Sequence, residues 1–272
     1  MKYTRQSAKY ITKNFFYIVP LAILHAFLLS LSTDEVAISK VLTESLSGNI
    51  AAWSFSELFH AISILSFGNW QSVVFGILGI IAIVPCVALI MAFLEKHFRI
   101  GKKTFNGLFS KINDNFISTC GYALLFVAVY EIWALLTSAV VYVMSMLPIT
   151  VLANVLSILF YVAMHVLLLY LVGLIYLWLP CMQITGFRAI EALQYAHQLV
   201  TPVKWRILGG QILFLLSTEA IICLCAVFVP SRLVFTLLTT ALYTILFMLY
   251  FVRMQIAYFD RDQIERADLK KY

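Results

Sequence analysis

Four ionisable side chains lie inside long apolar runs of the sequence, where a charge is expensive. They are His25, Glu131, His165 and Glu219. Ionisable groups in apolar helices commonly mark proton or ion pathways. Glutamate and histidine are suited to proton transfer, because burial and neighbouring charges can bring their pKa values into the physiological range.

The spacing of these groups predicts which of them meet. Glu131 and His165 lie at nearly equal distances from Pro148, on the two arms of a predicted hairpin. We therefore expect a Glu131–His165 hydrogen bond near mid-span. Glu219 precedes the last predicted turn, and Tyr243 lies at a matching depth on the following arm, together with Thr239, Thr240 and Thr244.

Two interpretations of these polar groups are open. They could form a proton or cation relay in a transporter. Alternatively, each carboxyl could be neutral and satisfied within its bundle, where it fixes helix register, because burial raises a carboxyl pKa. Hydrogen bonds between membrane helices contribute only ~0.6 kcal/mol on average, so the second role is modest.

Signals for enzymatic chemistry are missing from the sequence. It contains no H-E-x-x-H, G-x-S-x-G, P-loop or G-x-G-x-x-G motif. His97 and His197 lack partners at metal-ligand spacing, and we expect both to be solvated. The odd number of cysteines, five, in or beside apolar runs favours buried thiols over a disulfide framework. We predict no catalytic residue, metal or cofactor.

The elements that position these groups must be membrane helices. Of 272 residues, 62% are hydrophobic and only 12% are charged, against roughly 25% charged in a soluble domain. A water-soluble fold with this composition would expose aggregating patches. We expect one membrane domain over 1–272, without a cleavable signal peptide, because the first apolar run lacks a cleavage site before a soluble chain.

Six segments are long enough to cross the ~30 Å hydrocarbon core as helices. They are Asn14–Ser32, Ser72–Leu94, Phe116–Leu147, Val151–Pro180, Ile207–Val229 and Leu233–Tyr258. Pro148 and Pro230 separate the last two pairs into hairpins. The fold class is therefore all-α and integral to the membrane.

The basic residues predict the orientation. Seventeen of the 19 lysines and arginines fall on one side of the six spans, and only Lys40 and Arg232 fall on the other. The positive-inside rule places both termini in the cytoplasm of a multi-pass cell-membrane protein. This distribution also accounts for the net charge of +6 without nucleic-acid binding.

The outer connection, 33–71, has a different character. Val36–Leu46 and Ala51–Leu65 show helical spacing of apolar residues around a Ser47-Gly48-Asn49 turn signal. We expect two short helices in the outer leaflet. A lid packed over the outer ends of the spans is the alternative, and the two are not exclusive.

A threefold pattern divides the chain into units 1–94, 95–180 and 181–260, each with a basic amphipathic stretch followed by a helix hairpin. The predicted amphipathic cytoplasmic helices lie at 4–13, 100–112 and 186–200. They could hold their basic faces against anionic lipid headgroups or dock a cytoplasmic or membrane protein partner. The candidate face comprises Lys102, Lys103, Lys111, Arg188, Glu191, Lys204 and Arg206.

The connection from Gly186 reads G-F-R-A-I-E-A-L-Q-Y-A-H-Q-L-V and continues T-P-V-K-W-R-I-L-G. It resembles the repeat of a bacterial group of six-span membrane proteins that includes the membrane domain attached to some glycerophosphoryl diester phosphodiesterases. The matching features are Glu191-Ala192-Leu193, Ala196, Leu199 and Trp205-Arg206. The resemblance covers 186–215 best and implies a six-helix fold without catalytic residues.

The same helix is also similar to the coupling helix of ATP-binding-cassette importer permeases, through Glu191-Ala192, although the closing proline of that motif is missing. The leading hypothesis is a non-enzymatic bacterial membrane protein that acts as a scaffold or accessory component and engages lipid or a partner protein. The alternative is a transporter subunit, either a proton- or cation-coupled carrier or a permease driven by a separate ATPase.

Overall fold

In the computed structural model, residues 2–48, 53–66 and 68–269 are described, and all regular structure in these ranges is helical. Ten α-helices follow one another in this part of the chain. They are α1 (Lys2–Ser32), α2 (Glu35–Leu46), α3 (Phe55–Ile62), α4 (Trp70–Ile100), α5 (Leu108–Ser145), α6 (Thr150–Leu174), α7 (Trp178–Thr185), α8 (Ala189–Val200), α9 (Lys204–Phe228) and α10 (Arg232–Arg261).

The prediction of six apolar helices is confirmed. Six helical segments of the described chain are long and apolar enough to cross a membrane. Two of them join neighbouring helices, Thr150–Thr185 across α6 and α7, and Ala189–Phe228 across α8 and α9. The fold is thus that of an all-helical protein with six candidate membrane spans.

The six long helices form a ring. α1 packs between α4 and α10, α4 packs on α5, and α5 on α6, while α9 closes the ring through sparser contacts with α6 and α10. The most extensive contact joins the first and last helices of the chain. The three sequential helix pairs are therefore packed unequally, since α9 and α10 touch each other far less than α1 and α4 do.

α1 contains a bend that separates its polar beginning from its apolar remainder. Asn14 leaves helical geometry, with φ −123° and ψ 19°. Its side-chain amide donates to the carbonyl of Tyr10 at 2.9 Å, which satisfies a backbone acceptor freed at the kink. The stretch predicted at 4–13 is helical, as is most of 186–200.

The stretch predicted as a helix at 100–112 is not one. Gly101 ends α4 in the left-handed region, at φ 75°, as glycine commonly does at a helix C-terminus. Residues 101–107 are then non-helical, and α5 begins at Leu108.

The prediction for His97 is also wrong. It is buried, at 5% exposure, and bonds the hydroxyl of Tyr10, whereas His197 is exposed as expected.

The connection between α1 and α4 folds over one end of the ring. α2 packs on α9 and α3 packs on α5, which agrees with the lid alternative. Lys40 pairs with Glu57 to join the two helices, and this hydrogen bond lowers the pKa of the Glu57 carboxyl. Gly48 takes φ 76° in the predicted turn; Asn49 to Ala52 and Phe67 lie outside the described residues.

Candidate functional site

The helices of the ring and the lid line a partly open cavity of about 520 Å³, within the ~300–1,000 Å³ that is typical of ligand pockets. It extends from Asp34 and Trp53, beside the lid helices, to Thr4 and Arg253 at the end that carries both termini. Its walls are mainly apolar. Six tyrosines add hydroxyl groups: Tyr122, Tyr130, Tyr161, Tyr176, Tyr243 and Tyr250.

A histidine–glutamate pair lies beside this cavity, and its glutamate, Glu219, lines the wall. His165 of α6 is almost fully buried, at 1% exposure, and its Nε2 lies 2.9 Å from Oε1 of Glu219 on α9. The Tyr161 hydroxyl also donates to Glu219, at 3.3 Å. The rings of Trp133 and Tyr161 lie 4.7 Å and 4.4 Å from the imidazole, centroid to centroid.

The geometry determines how many protons this pair holds. The Nδ1 atom of His165 lies 2.9 Å from the backbone carbonyl of Tyr161. A carbonyl can only accept, so Nδ1 carries a hydrogen. The hydrogen bond between Nε2 and Oε1 then requires one further proton, which is bonded to either the nitrogen or the oxygen. The pair is therefore a neutral hydrogen-bonded unit, of which Glu219 lines the cavity.

Glu131 does not pair with His165, so that prediction is wrong. Glu131 accepts from the Ser63 hydroxyl at 2.8 Å and from the Ile64 backbone N–H at 3.0 Å. Its partner is thus the segment after α3. Tyr130, its neighbour on α5, donates to the Ile62 carbonyl at 2.9 Å, and the two contacts hold the lid against α5.

Two of the remaining predicted polar groups, His25 and Tyr243, connect neighbouring parts of the ring. His25 is buried and its Nδ1 lies 2.8 Å from the Gly79 carbonyl, which ties α1 to α4. Tyr243 bonds the Thr33 hydroxyl at 3.1 Å. Both line the cavity. Thr240 and Thr244 donate to carbonyls of their own helix.

The residues of the predicted basic face lie outside the cavity. Lys102, Lys103, Lys111, Arg188, Glu191 and Arg206 are exposed, and Lys204 is half-buried. Lys111 lies 3.9 Å from Glu95, and Glu191 accepts from the Arg188 backbone N–H at 3.2 Å. The face is therefore available to solvent or to lipid headgroups, as expected for either interpretation.

Sequence reasoning missed Arg253 and Gln211 as site residues. Arg253 counts among the basic residues near the C-terminus, yet its side chain is only 4% exposed and lines the cavity. Its position within the long apolar run before Met254 was the available signal, because an arginine flanked by apolar residues on both sides is rarely solvated. Gln211 gave no comparable signal.

No metal site accompanies these groups. The described ranges contain no group of three or more His, Cys, Asp and Glu side chains that could hold a metal ion. The five cysteines are free.

Comparisons of the chain with protein-family models, with curated proteins and with solved structures find no match. The predicted resemblance to the six-span bacterial group consequently stays a prediction.

Proposed function

We propose that this chain is a non-enzymatic membrane protein that binds an amphipathic molecule or lipid inside its ring of helices and serves as an accessory component. The observation that carries the proposal is the cavity, with apolar walls, a set of tyrosine hydroxyls and a lid. Apolar concave sites with a few convergent polar groups are the usual form of ligand sites.

The proposed location is the cytoplasmic membrane of a bacterium, with both termini in the cytoplasm. Support comes from the six apolar helices and from the seventeen basic residues of the sequence that share the side of the termini. Reporter fusions at Ser47 and at the C-terminus test it. We expect alkaline phosphatase activity only from the first fusion, and the reverse pattern would overturn the orientation.

Filling the cavity tests ligand binding. Ala123 of α5 is 2% exposed and lines the cavity, whereas Ala128 lies on an exposed face of the same helix. We expect Ala123→Phe to lose the lipid that co-purifies with the wild type in native mass spectrometry, and Ala128→Phe to retain it. Equal lipid occupancy in both variants and the wild type would overturn the proposal.

A proton-coupled carrier is the second candidate, and the His165–Glu219 pair favours it because Glu219, which lines the cavity, is hydrogen-bonded to a buried histidine. Glu131 contributes less to this candidate, since both its oxygens are engaged by the lid. In proteoliposomes carrying an entrapped pH dye and an imposed potential, we expect Glu219→Gln to lose proton uptake and Glu131→Gln to keep it. Equal uptake by wild type and Glu219→Gln would remove the relay.

The predicted protein partner, including an ATPase that would drive a permease, rests on the exposed face of α8 and its neighbours. In this alternative, the partner protein docks on that face and not in the cavity. Purification in mild detergent tests it: a stoichiometric ATPase retained by the wild type and lost on Glu191→Lys would favour a permease.

A further inference from the structure

The cavity end that carries the termini contains a buried arginine, Arg253. Arg253 forms no ion pair with any residue in the described ranges. Its guanidinium donates to the Ile207 carbonyl and, at 3.4 Å, to the Thr4 hydroxyl. Arginine cannot shed its proton in a protein, so the positive charge persists inside the bundle.

The donors that remain are arranged for an anion. Within the described chain, Nε of Arg253 has no hydrogen-bond partner. Nε–H and a neighbouring terminal N–H form one edge of the guanidinium, and such an edge binds carboxylate or phosphate oxygens in pairs. Nη2, on the same edge, already donates to the Ile207 carbonyl, so the unpaired group is the Nε–H. Leaving a buried ionic donor unpaired is costly, and this donor points to a ligand.

Gln211 supplies a second unpaired group at the same cavity. Its side chain is 8% exposed, it lines the cavity beside Arg253, and neither its amide nitrogen nor its amide oxygen has a partner among the described residues. The nitrogen can donate to an anionic oxygen, and the oxygen can accept from a hydroxyl. The Tyr176 hydroxyl comes within hydrogen-bonding reach of both side chains, but no hydrogen bond of normal geometry forms with the amide of Gln211 or with Nε of Arg253 among the described residues.

Gly210 makes room for this arrangement. A Cβ atom added there would lie 2.7 Å from Nη1 of Arg253 and 2.8 Å from Oγ1 of Thr4, whereas one added at Gly209 would meet nothing within 4 Å. The guanidinium therefore rests directly against the backbone of α9. An alanine at position 210 would displace the end of the Arg253 side chain and the Thr4 hydroxyl that accepts from it.

We infer that Arg253 and Gln211 form the headgroup site for an anionic amphiphile, whose phosphate or carboxylate binds at this end while its apolar chain lies along the cavity. This inference rests on the proposed function and specifies its ligand class. The headgroup of the ligand needs an anionic oxygen that accepts from Arg253. A hydroxyl or protonated oxygen beside it would donate to the amide oxygen of Gln211.

The test compares lipids that share acyl chains and differ in the head. Dioleoyl phosphatidic acid, phosphatidylglycerol and phosphatidylcholine are added to delipidated protein and counted by native mass spectrometry. We expect the wild type to bind the two anionic lipids at least about tenfold more tightly than phosphatidylcholine, since charge-assisted hydrogen bonds are lost with the neutral head. Arg253→Gln and Gly210→Ala should abolish this preference.

Matched controls separate the site from general charge. Arg206→Gln removes an exposed charge near the same end, and Gly209→Ala makes the same change one residue away from Gly210. Both should keep the preference. Gln211→Leu should weaken it. If Arg253→Gln misfolds, Gly210→Ala remains informative, because the arginine is retained but displaced.

Each remaining outcome is decisive. Equal binding of all three lipids by the wild type overturns the headgroup site while leaving cavity binding intact. No lipid binding by the wild type defeats the proposed function itself. Inorganic phosphate alone is titrated calorimetrically as a separate arm. Suppose that the wild type binds phosphate but no lipid, and that Arg253→Gln loses the phosphate binding. The proposal of an amphiphilic ligand is then overturned, and the ligand is a soluble anion.

Discussion

The position of a side chain around its helix decides which polar residues can meet. Trp133 packs edge-on against His165 and therefore marks the face of α5 that looks toward α6. Glu131 precedes it by two residues, which corresponds to about 200° of rotation on a helix. Glu131 consequently points away from His165 and toward the lid. Counting residues from Pro148 gives depth along the helix but not this angle.

A double-mutant cycle tests the pairing at this scale. We expect His165→Phe and Glu219→Leu to be coupled, because removing either partner leaves a buried polar group alone. The coupling energy should be about 0.6–1.7 kcal/mol, between the average and the largest value measured between membrane helices. The measurement is the free energy of unfolding in mixed micelles.

The control cycle for this prediction combines His165→Phe with Glu131→Leu. These residues do not bond each other, so their effects should add within about 0.5 kcal/mol. Coupling between positions 131 and 165 that equals the 165–219 coupling would contradict the structure.

At the scale of elements, α3 and the residues after it are inserted between helices. Glu131 lies roughly 21 Å from the end of α5 at 1.5 Å per residue, yet it bonds Ser63 and Ile64. The lid therefore reaches well down the bundle. The sequence indicates short helices here, but not their insertion. It does not show that the Glu131 carboxylate accepts from the Ile64 backbone N–H, because this depends on which helix lies next to the segment.

Removing that acceptor should release the lid segment. Glu131→Leu leaves the Ile64 N–H and the Ser63 O–H without the carboxylate that accepts from them, which costs about 1–3 kcal/mol for such groups. We expect amide hydrogen exchange over 63–66 to accelerate by about tenfold or more. Exchange within α4 should stay as in the wild type.

Glu131→Gln provides the matched variant for this measurement. Its amide oxygen can accept from Ile64 and its nitrogen can donate to Ser63, so most protection should remain. Unchanged exchange in Glu131→Leu would show that these hydrogen bonds do not hold the segment.

For the whole molecule, sequence predicts the number of spans and their polar ends because both follow from composition over long windows. It predicts the ring and its cavity much less well. The extensive α1–α10 contact joins residues far apart in the chain, and apolar sequences offer many equivalent neighbours. The buried Arg253 was likewise grouped with the C-terminal basic residues, since its exposure depends on α9 and α1 packing around it.

The closure of the ring can be tested by crosslinking its first and last helices. The hydroxyls of Ser30 and Thr239 bond each other, so sulfur atoms at these positions lie near the ~2.05 Å of a disulfide. The background lacks the native cysteines and carries a protease site in 101–107, which separates α1 from α10 in the chain. After oxidation and cleavage, Ser30→Cys/Thr239→Cys should run as one band on a non-reducing denaturing gel. Leu237, which is 59% exposed, lies on another face of α10, so Ser30→Cys/Leu237→Cys should separate into two bands. If both double variants separate into two bands, α1 and α10 are not neighbours in the ring.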